Sequence, residues 1–268
     1  MHALSPAVEA LIRDVAEMIV LPRYRTLAAH QIEEKSPGDY VTIADKESEL
    51  ALNAGLAEIL STARMVGEEA AAADPAVLDG LDKGAVWIID PIDGTGNFAA
   101  GQPHFAIMIA LAQDGVVQAG WIYDPLRQRM CHAVAGGGAF IDGARVAAIP
   151  SGAPLPIAAI ATRFMEAGER EALIARLEGH VAITDIPNCA GEQYPRIVLG
   201  ENDVALFKRT LPWDHAAGAL FLAEAGGKVA RLDGSPYRIW DGGTGLLGAS
   251  SAKIWDAAAA TLSLTHIS

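Results

Sequence analysis

The sequence predicts a mixed α and β fold made of two halves, residues 1–150 and 151–268. In the first half, hairpin signals join short apolar runs, which favours an α+β arrangement of helices on an antiparallel sheet. In the second half, apolar runs alternate with helical patterns, which is typical of an α/β arrangement. Residues 150–154, with the sequence Pro-Ser-Gly-Ala-Pro, are the best candidate for a linker between the halves.

The composition predicts a folded protein with little affinity for polyanions. Of the 268 residues, 51% are hydrophobic, which is enough for a sizeable core. The formal net charge of −13 argues against electrostatic binding to nucleic acid or to an anionic membrane. A small anionic substrate stays compatible with this charge, because a bound cation can reverse the local field.

Several features predict a cytoplasmic protein. Arg13, Asp14 and Glu17 interrupt the N-terminal segment in an amphipathic pattern, unlike the apolar run of a signal peptide. No apolar run approaches the length needed to cross a bilayer. Cys131 and Cys189 lie far apart and lack metal-ligand spacing, so we expect buried free thiols in a reducing cytoplasm.

The first half begins with an amphipathic helix that ends near Pro22, because Val8, Ile12 and Val15 recur at helical spacing. Asp45 can cap a second helix, and Asp114-Gly115 between two apolar runs is a strong hairpin signal. The other predicted elements are a loop at 35–39, a surface loop at 70–76, and strands at 40–43, 65–66, 86–89, 105–112, 116–123, 130–134 and 139–141.

The second half alternates strands and helices. Asp214 can cap an alanine-rich helix over residues 216–225, which the glycine pair at 226–227 would end. Ser250 or Ser251 can start a last helix. The remaining predicted elements are strands at 157–161, 181–183, 204–207, 228–231 and 246–249, with helices over 169–177 and near residue 196.

The stretch Asp90-Pro-Ile-Asp93-Gly-Thr-Gly has the chemistry of a binding site. It follows an apolar run, and its proline and glycines turn the chain so that both carboxylates project on one side. Carboxylates this close repel unless a cation lies between them, and hard oxygen ligands favour magnesium, calcium or manganese. The N–H groups after Gly94 could open a helix and hold a phosphate. Solvated turns and helix caps use the same residue types, so ordinary turn chemistry is an equal alternative.

Spacing distinguishes this stretch from two other acidic sites. An EF-hand loop starting at Asp90 would need oxygen ligands at Ile92 and Gly94 and a glutamate at Gly101, so it fails. A haloacid-dehalogenase nucleophile follows the pattern Asp-x-Asp-Gly-Thr, whereas this chain has Asp-x-x-Asp-Gly-Thr. The extra residue would displace the second carboxylate relative to the first.

A third carboxylate is predicted near the same place. Residues 65–66 form an apolar run that leads into Gly67-Glu68-Glu69, shortly before the turn at Asp90. A strand that ends there could bring Glu68 to the same pole of a sheet. The alternative is that these adjacent glutamates lie on a solvated face.

Three motifs in this order resemble those of the inositol monophosphatase family. They are Gly67-Glu68-Glu69, then Trp87-Ile-Ile-Asp90-Pro-Ile-Asp93-Gly-Thr95, then Trp213-Asp214-His-Ala-Ala-Gly218 with Glu224-Ala-Gly-Gly227. Members of this family are magnesium-dependent, lithium-sensitive phosphomonoesterases. The resemblance therefore implies a five-layered αβαβα sandwich that hydrolyses the phosphate ester of a small metabolite, with the metal site between its two halves.

The resemblance also implies the metal ligands. Glu68, Asp90 and the backbone carbonyl of Ile92 would hold one Mg²⁺. Asp90, Asp93 and Asp214 would hold a second, with Asp90 bridging, in a site of two or three ions. Carboxylates would supply the negative charge that such ions need beside a phosphate.

Catalytic roles come from the same resemblance. Thr95, hydrogen-bonded to Asp45, would orient and deprotonate the attacking water, and Glu68 would assist. Lys35 matches a basic residue beside the family's metal site, although a solvated loop lysine is an equal alternative.

The substrate side departs from the family pattern. Inositol-handling relatives have a Gly-Thr-Ala-Ala segment and a glutamate ahead of the Trp-Asp motif, where this chain has Asn-Cys-Ala190-Gly and Phe-Lys208-Arg. A cation at Lys208 would suit a second phosphate or a carboxylate, unless that lysine points to solvent. The predicted substrate-binding residues are Asp93, Gly94, Thr95, Ala190, Lys208 and Asp214. Candidate substrates are inositol-phosphate-like molecules, sugar (bis)phosphates, histidinol phosphate and nucleotide 3′-phosphates.

Two other hypotheses are open. One is a non-catalytic regulatory or protein-binding family member, although its acidic residues would then have no reason to stay crowded together. The other is a phosphatase that uses Asp90 as a covalent nucleophile, which the Asp-x-x-Asp spacing disfavours. Relatives are usually homodimers, which implies a homodimer by analogy alone.

Overall fold

The computed structural model describes residues 2–162 and 165–263. Within these residues the chain forms a five-layered αβαβα sandwich, in which two sheets alternate with three layers of helices. The helices are α1 (Ser5–Val15), α2 (Leu21–Arg23), α3 (Ile43–Ile59), α4 (Glu68–Ala73), α5 (Thr95–Ala99), α6 (Ala167–Leu177), α7 (Ala190–Val198), α8 (Pro212–Glu224) and α9 (Ala252–Ser263), with a π-helical segment at Ala16–Val20 and 3-10 turns at Ala29–Gln31 and Pro75–Leu78.

The strands form a hairpin and two larger sheets in the described part of the chain. The strands are β1 (Ile32–Ser36), β2 (Asp39–Thr42), β3 (Arg64–Gly67), β4 (Ala85–Asp93), β5 (Ala106–Gln113), β6 (Val116–Asp124), β7 (Arg129–Val134), β8 (Gly138–Ile141), β9 (Ala144–Val146), β10 (Ile157–Ile160), β11 (Ala182–Thr184), β12 (Val204–Phe207), β13 (Lys228–Arg231) and β14 (Leu246–Ala249). The bounds of β12, β13 and β14 are those that the sequence predicts.

The larger sheet has seven strands that follow one another in sequence order from β3 to β9. All neighbouring pairs are antiparallel except β3 and β4, which run parallel. The predicted hairpin at Asp114-Gly115 joins β5 to β6. The predicted antiparallel sheet of the first half is therefore present, with one parallel strand added at its edge.

Different helices cover the two faces of this sheet. Because successive side chains of a strand point to opposite faces, Trp87 and Ile89 of β4 share a core with α1 and α3. Val86 and Ile88 share another core with α7 and α8.

The second sheet has the strand order β11-β10-β12-β14-β13 and lies on the far side of α7 and α8. Strand β10 is parallel to β11 and β12, whereas β14 is antiparallel to β12 and β13. Helices α6 and α9 cover its outer face and complete the fifth layer. No helix among the described residues combines the length and the apolar character that a membrane crossing requires.

A β-bulge in β4 changes the direction of the backbone between Asp90 and Asp93. Asp90 pairs with Met108 and Asp93 with Ala106, so three steps along β4 match two along β5. The extra residue makes the strand bend, which re-aims the side chains that follow it. The strand continues through Asp93, so the turn that the sequence predicts after residue 89 occurs only at Gly94.

Two predicted loops are wrong. Lys35 and Ser36 belong to β1, because this strand pairs with β2 almost to the tip of the hairpin. Most of residues 70–76 is helical, in α4, since alanine is the best helix former and the Glu49 carboxylate accepts the N–H groups of Glu69 and Ala70 at 2.8 and 2.9 Å.

The two predicted helix caps are also displaced by one turn. Thr42 is the N-cap of α3, and the Asp45 carboxylate accepts its N–H at 2.8 Å from the third helical position. Helix α8 begins with Pro212 after Leu211, so Asp214 lies inside the first turn instead of capping it. Both carboxylates thus point from the starts of helices towards the interior of the molecule.

We expect Gly120→Ala to destabilise the fold, because β6 and α8 are in backbone contact there. A Cβ at position 120 would lie 2.8 Å from the Ala217 Cα, and neither backbone can retreat without disturbing the layer. Overpacking of this kind typically reduces the free energy of unfolding by about 1–3 kcal/mol, which urea unfolding would measure.

The matched control is Gly168→Ala in α6, where a Cβ meets nothing within 4 Å. Alanine is the better helix former, so this variant should gain roughly 0.5–1 kcal/mol. A Gly120→Ala variant as stable as the wild-type protein would contradict the packing of α8 on β6.

Candidate functional site

Strand register brings two of the predicted carboxylates together. Gly67 of β3 is the partner of Ile89 of β4, so the residues that follow them, Glu68 and Asp90, lie at the same edge of the sheet. Asp214 reaches this edge from the first turn of α8, in the middle layer of helices. Each of the three offers a carboxylate oxygen, and these oxygens all lie within 4.8 Å of one another.

The environment of this cluster is unfavourable for negative charge. Burial and the neighbouring carboxylates raise the pKa of Asp90 and of Asp214 well above the ordinary aspartate value. A cationic side chain, that of Lys35, contacts this cluster at its margin. Lys35 Nζ donates to Glu68 Oε1 at 2.7 Å and to Glu69 Oε1 at 3.1 Å. The cluster therefore favours a bound cation of higher charge density than a lysine.

Asp93 makes different contacts. Its Oδ2 accepts a hydrogen bond from the Gly191 N–H at 2.6 Å and from the Cys189 thiol at 3.0 Å, at the start of α7. Burial dominates over these hydrogen bonds and raises the pKa of Asp93 to about 6. Asp93 thus attaches the middle helix layer to the end of β4 through one of its two oxygens. The thiols of Cys131 and Cys189 are both buried and free.

A hydrogen-bonded pair lies beside the cluster. Thr95 Oγ1 is 3.0 Å from Asp45 Oδ1 and 2.9 Å from the Ile92 carbonyl oxygen. Burial raises the pKa of Asp45 to about 7, against the lowering effect of its hydrogen bonds from Thr42. A carboxyl group that titrates near neutral pH can exchange a proton through the threonine hydroxyl.

The turn at Gly94 requires glycine. Its φ is +85°, and a Cβ would lie 2.7 Å from the His104 carbonyl oxygen. The N–H groups of Asn97 and Phe98 both go to the Gly94 carbonyl, at 2.9 and 3.1 Å. The N–H groups of the residues before Asn97 lie at the very start of α5. The first N–H groups of a helix have no acceptor within the helix.

A cavity of about 130 Å³ joins these groups. The predicted site residues that line it are Glu68, Asp90, Ile92, Asp93, Gly94, Thr95, Ala190, Lys208 and Asp214. Asp45 lies one layer behind it, against Thr95. The structure therefore brings every predicted site residue to one place.

The basic residues Lys208 and Arg209 are arranged differently from the prediction, which gave the cationic role to Lys208. Lys208 lines the cavity but forms an ion pair with Glu169 of α6, and about 37% of its side chain is exposed. The adjacent Arg209 donates to Asp39 Oδ2 at 3.0 Å and lies 4.0 Å from Asp214 Oδ2. Arg209 thus places a positive charge beside the acidic cluster.

The cavity is also lined by residues that the sequence did not single out, among them Asp39, Gln193 and Arg209. Lys208 and Arg209 both line the cavity, although they are adjacent in the chain. The available signal for Arg209 was that it follows the predicted Lys208 and carries the same charge. Asp39 and Gln193 had no signal, because their positions depend on how β2 and α7 pack.

His215 is a packing residue at the back of the cavity. Its Nδ1 is 2.9 Å from the Tyr194 hydroxyl, and its Nε2 is 3.0 Å from the Arg209 carbonyl oxygen. Burial lowers the pKa of His215 to about 3, so it is neutral at physiological pH.

The chain is similar in sequence and in fold to known proteins. A sequence model of the inositol monophosphatase family matches residues 2–267. The inositol-1-monophosphatase of Bacillus subtilis is 32% identical over 241 residues, which are 88% of each chain. The Nus factor SuhB of Vibrio cholerae is 33% identical over 211 residues, or 76% of each chain. The crystal structure of the extragenic suppressor protein suhB from Bartonella henselae matches with a TM-score of 0.82 at 24% identity, over 97% of this chain and 98% of that one.

The carboxyl groups beside the acidic cluster predict how the stability of the protein depends on pH when no metal is present. The pKa of Glu69 and of Asp45 is raised to about 7 and that of Asp93 to about 6, from ordinary values near 4. At a pH between the ordinary and the raised pKa, the folded state binds more protons than the unfolded state. The free energy of unfolding therefore falls as the pH rises through this range. In the presence of a chelator, the free energy of unfolding should fall by about 2 kcal/mol or more between pH 5.5 and 7.5.

Urea unfolding at several pH values checks this dependence. Asp90→Asn is the informative variant, because it removes one repelling carboxylate and should make the slope shallower. A metal-free protein whose stability increases over this range would contradict the described electrostatics.

Proposed function

Because this chain belongs to the inositol monophosphatase family, whose members are metal-dependent, we propose that it uses Mg²⁺ and water to hydrolyse a small phosphate monoester. Its membership makes it a phosphoric monoester hydrolase; the choice of metal, the number of ions and the substrate are the proposal. The observation that carries it is the convergence of Glu68, Asp90 and Asp214 in one cavity.

The donor set fits magnesium. The candidate ligands are carboxylate and carbonyl oxygens, which hard divalent cations prefer, and the mutual repulsion of the carboxylates would be relieved by a dication. Glu68, Asp90 and the Ile92 carbonyl would hold one ion, and Asp90, Asp93 and Asp214 a second. The hydrogen bonds from Cys189 and Gly191 use Asp93 Oδ2, so we assign Oδ1 as the oxygen that would serve as ligand. Bound magnesium neutralises phosphoryl oxygens and lowers the pKa of a water molecule.

Asp45 and Thr95 would handle the proton. Thr95 Oγ1 is 3.0 Å from Asp45 Oδ1 and faces the cavity, so the hydroxyl can orient a water while it passes a proton to the carboxylate. The pKa of Asp45, about 7, suits a group that accepts a proton at neutral pH and releases it again. Glu68 would hold the same water from the opposite wall.

The start of α5 would bind the phosphate. Gly94, with its positive φ, precedes α5, and Thr95 and Gly96 line the cavity, so the first residues of α5 lie at the cavity wall. Backbone N–H groups at a helix start are suited to phosphoryl oxygens. Arg209 adds positive charge on the substrate side, so a substrate with a second anionic group is compatible with this cavity.

The substrate candidates are those that the sequence suggests: inositol phosphates, sugar (bis)phosphates, histidinol phosphate and nucleotide 3′-phosphates. A phosphate-release screen with each of them in Mg²⁺ would identify the preferred class. Lys208 is bound to Glu169, so its part in the choice is tested by Lys208→Ala against Arg209→Met in the same screen. We further propose a cytoplasmic homodimer by analogy, which sedimentation velocity would test.

A regulatory role is the second candidate, because a relative 33% identical to this chain is named as a Nus factor. In this alternative the protein would act by binding another macromolecule. Absence of phosphate release from every substrate, with the metal still bound, would favour it. A trapped phosphoaspartate at Asp90 would instead favour the covalent mechanism.

We expect Asp90→Asn and Asp214→Asn to reduce kcat/KM by at least about a hundredfold, because each removes charge from the centre that stabilises the reacting phosphoryl group. Phosphate release in Mg²⁺ measures this loss. Isothermal titration calorimetry should show weakened Mg²⁺ binding in both variants, and added Mg²⁺ should raise Tm only in the wild-type protein.

The control is Asp79→Asn, which changes an exposed aspartate away from the cavity and should behave as the wild-type protein. Full activity in either Asp90→Asn or Asp214→Asn would rule out the metal site proposed above.

Thr95→Val should separate proton transfer from metal binding. Valine keeps the shape but lacks the hydroxyl, so we expect kcat to fall by about 10²- to 10⁴-fold while Mg²⁺ affinity changes little. Rate measurements combined with calorimetry check this. An equal loss of Mg²⁺ affinity would mean that Thr95 acts mainly by supporting the Ile92 carbonyl.

A further inference from the structure

One buried side chain of the cavity has no role in the chemistry described above. Gln193 on α7 is only 1% exposed, yet neither its amide oxygen nor its amide nitrogen has a hydrogen-bond partner among the described residues. Most buried polar groups in native proteins are hydrogen-bonded, so a doubly unpaired amide calls for an explanation.

The position of Gln193 directs it to the cavity. It lies three residues after Ala190 and four after Cys189, on the face of α7 that lines the cavity with them. The α7 start is held by Asp93 through the Gly191 N–H, which leaves little freedom for the helix to move. Gln193 therefore lies within about one helical turn, or ~5 Å, of the start of α7, where Gly191 contacts Asp93.

Several polar groups on α7 or in contact with it already have hydrogen-bond partners other than the Gln193 amide. Tyr194 and His215 bond to each other, and the His215 Nε2 is used by the Arg209 carbonyl. Asp93 Oδ2 is used by Gly191 and Cys189. A group that enters the cavity is therefore a candidate partner for the Gln193 amide.

We propose that Gln193 is a specificity-determining residue, which binds a substrate hydroxyl group close to the phosphate ester. This inference rests on the proposed phosphatase function and adds to it. A primary amide offers one acceptor and two donors, so its complement is a group that both donates and accepts. A hydroxyl meets this requirement, whereas a phosphate oxygen only accepts and a methyl group does neither.

The residues nearby fit an alcohol better than a second anion at this point. Phe207 lines the same cavity and stacks with Tyr194 at 5.4 Å, and Ala190 adds a small apolar surface. Gln193 is a neutral polar group, whereas Arg209 brings positive charge to another part of the same cavity. Carbon-bound hydrogens of a polyol would contact the apolar surface while a hydroxyl reaches the amide.

The test compares two substrates that differ in hydroxyl groups alone, glycerol 2-phosphate and isopropyl phosphate. A site built to pair with a hydroxyl discriminates against the analogue that lacks it, because the amide is then left unpaired. We expect the wild-type protein to prefer glycerol 2-phosphate by roughly tenfold or more in kcat/KM.

Gln193→Met should abolish this preference without destabilising the protein. Methionine has nearly the same shape, and replacing an unpaired buried polar group by an apolar one is neutral or stabilising, so Tm should stay unchanged or rise. A glutamine with a structural partner would give the opposite result, a lower Tm with both substrates affected alike. Gln193→Leu provides a second apolar variant should the first fold poorly.

The matched control is Gln113→Met at the exposed end of β5, which should keep both the preference and Tm. Turnover of p-nitrophenyl phosphate by the wild-type protein shows separately whether the phosphatase function holds. If that substrate is hydrolysed but the hydroxyl preference is absent, or survives in Gln193→Met, the role of Gln193 is refuted alone. If no phosphate is released from any of the three, the proposed function fails first, and the role of Gln193 with it.

Discussion

Repulsion among the carboxylates of Glu68, Asp90 and Asp214, two of them buried and one half-buried, is the constraint on which the rest of this structure depends. At separations of up to 4.8 Å and an effective dielectric constant near 20, each ionised pair costs on the order of 3 kcal/mol. Such a cluster survives only if a large core holds its elements in place, and the three apolar cores on either side of the two sheets do so. Lys35 offsets part of the repulsion from one side and Arg209 from another. The remaining negative charge is what would favour a bound cation at this site.

The middle helix layer turns this local arrangement into a site that the whole chain builds. Helix α8 supplies Asp214, and α7 supplies the N–H that Asp93 accepts, so carboxylates of the first sheet contact helices that also pack on the second. The hairpin of β1 and β2 adds Lys35 from outside and is connected across the cavity by the pair of Asp39 and Arg209. Packing, charge and access to the cavity are therefore coupled through the same few contacts.

Several of the failed predictions depend on a contact from elsewhere in the chain. Alanine residues after Glu69 form α4 because the distant Glu49 carboxylate caps it, and a cap from twenty residues away leaves no local pattern. Lys208 carries the predicted charge but is bound by Glu169, whereas the charge beside Asp214 belongs to Arg209. Gln193 could not be singled out at all, since a buried glutamine and an exposed one look the same in a sequence.

The sequence by itself determined the periodicities, the turns and the types of side chain, which are local properties of the chain. From these, and from three ordered motifs, followed most strands of both sheets, the family, and the acidic residues at Glu68, Asp90 and Asp214. Only the tertiary structure decided which oxygens converge, that Asp93 also holds α7, and which polar groups are left without partners. The physical reason is that distance, burial and pKa depend on residues far apart in the chain, and no local pattern records how those residues pack.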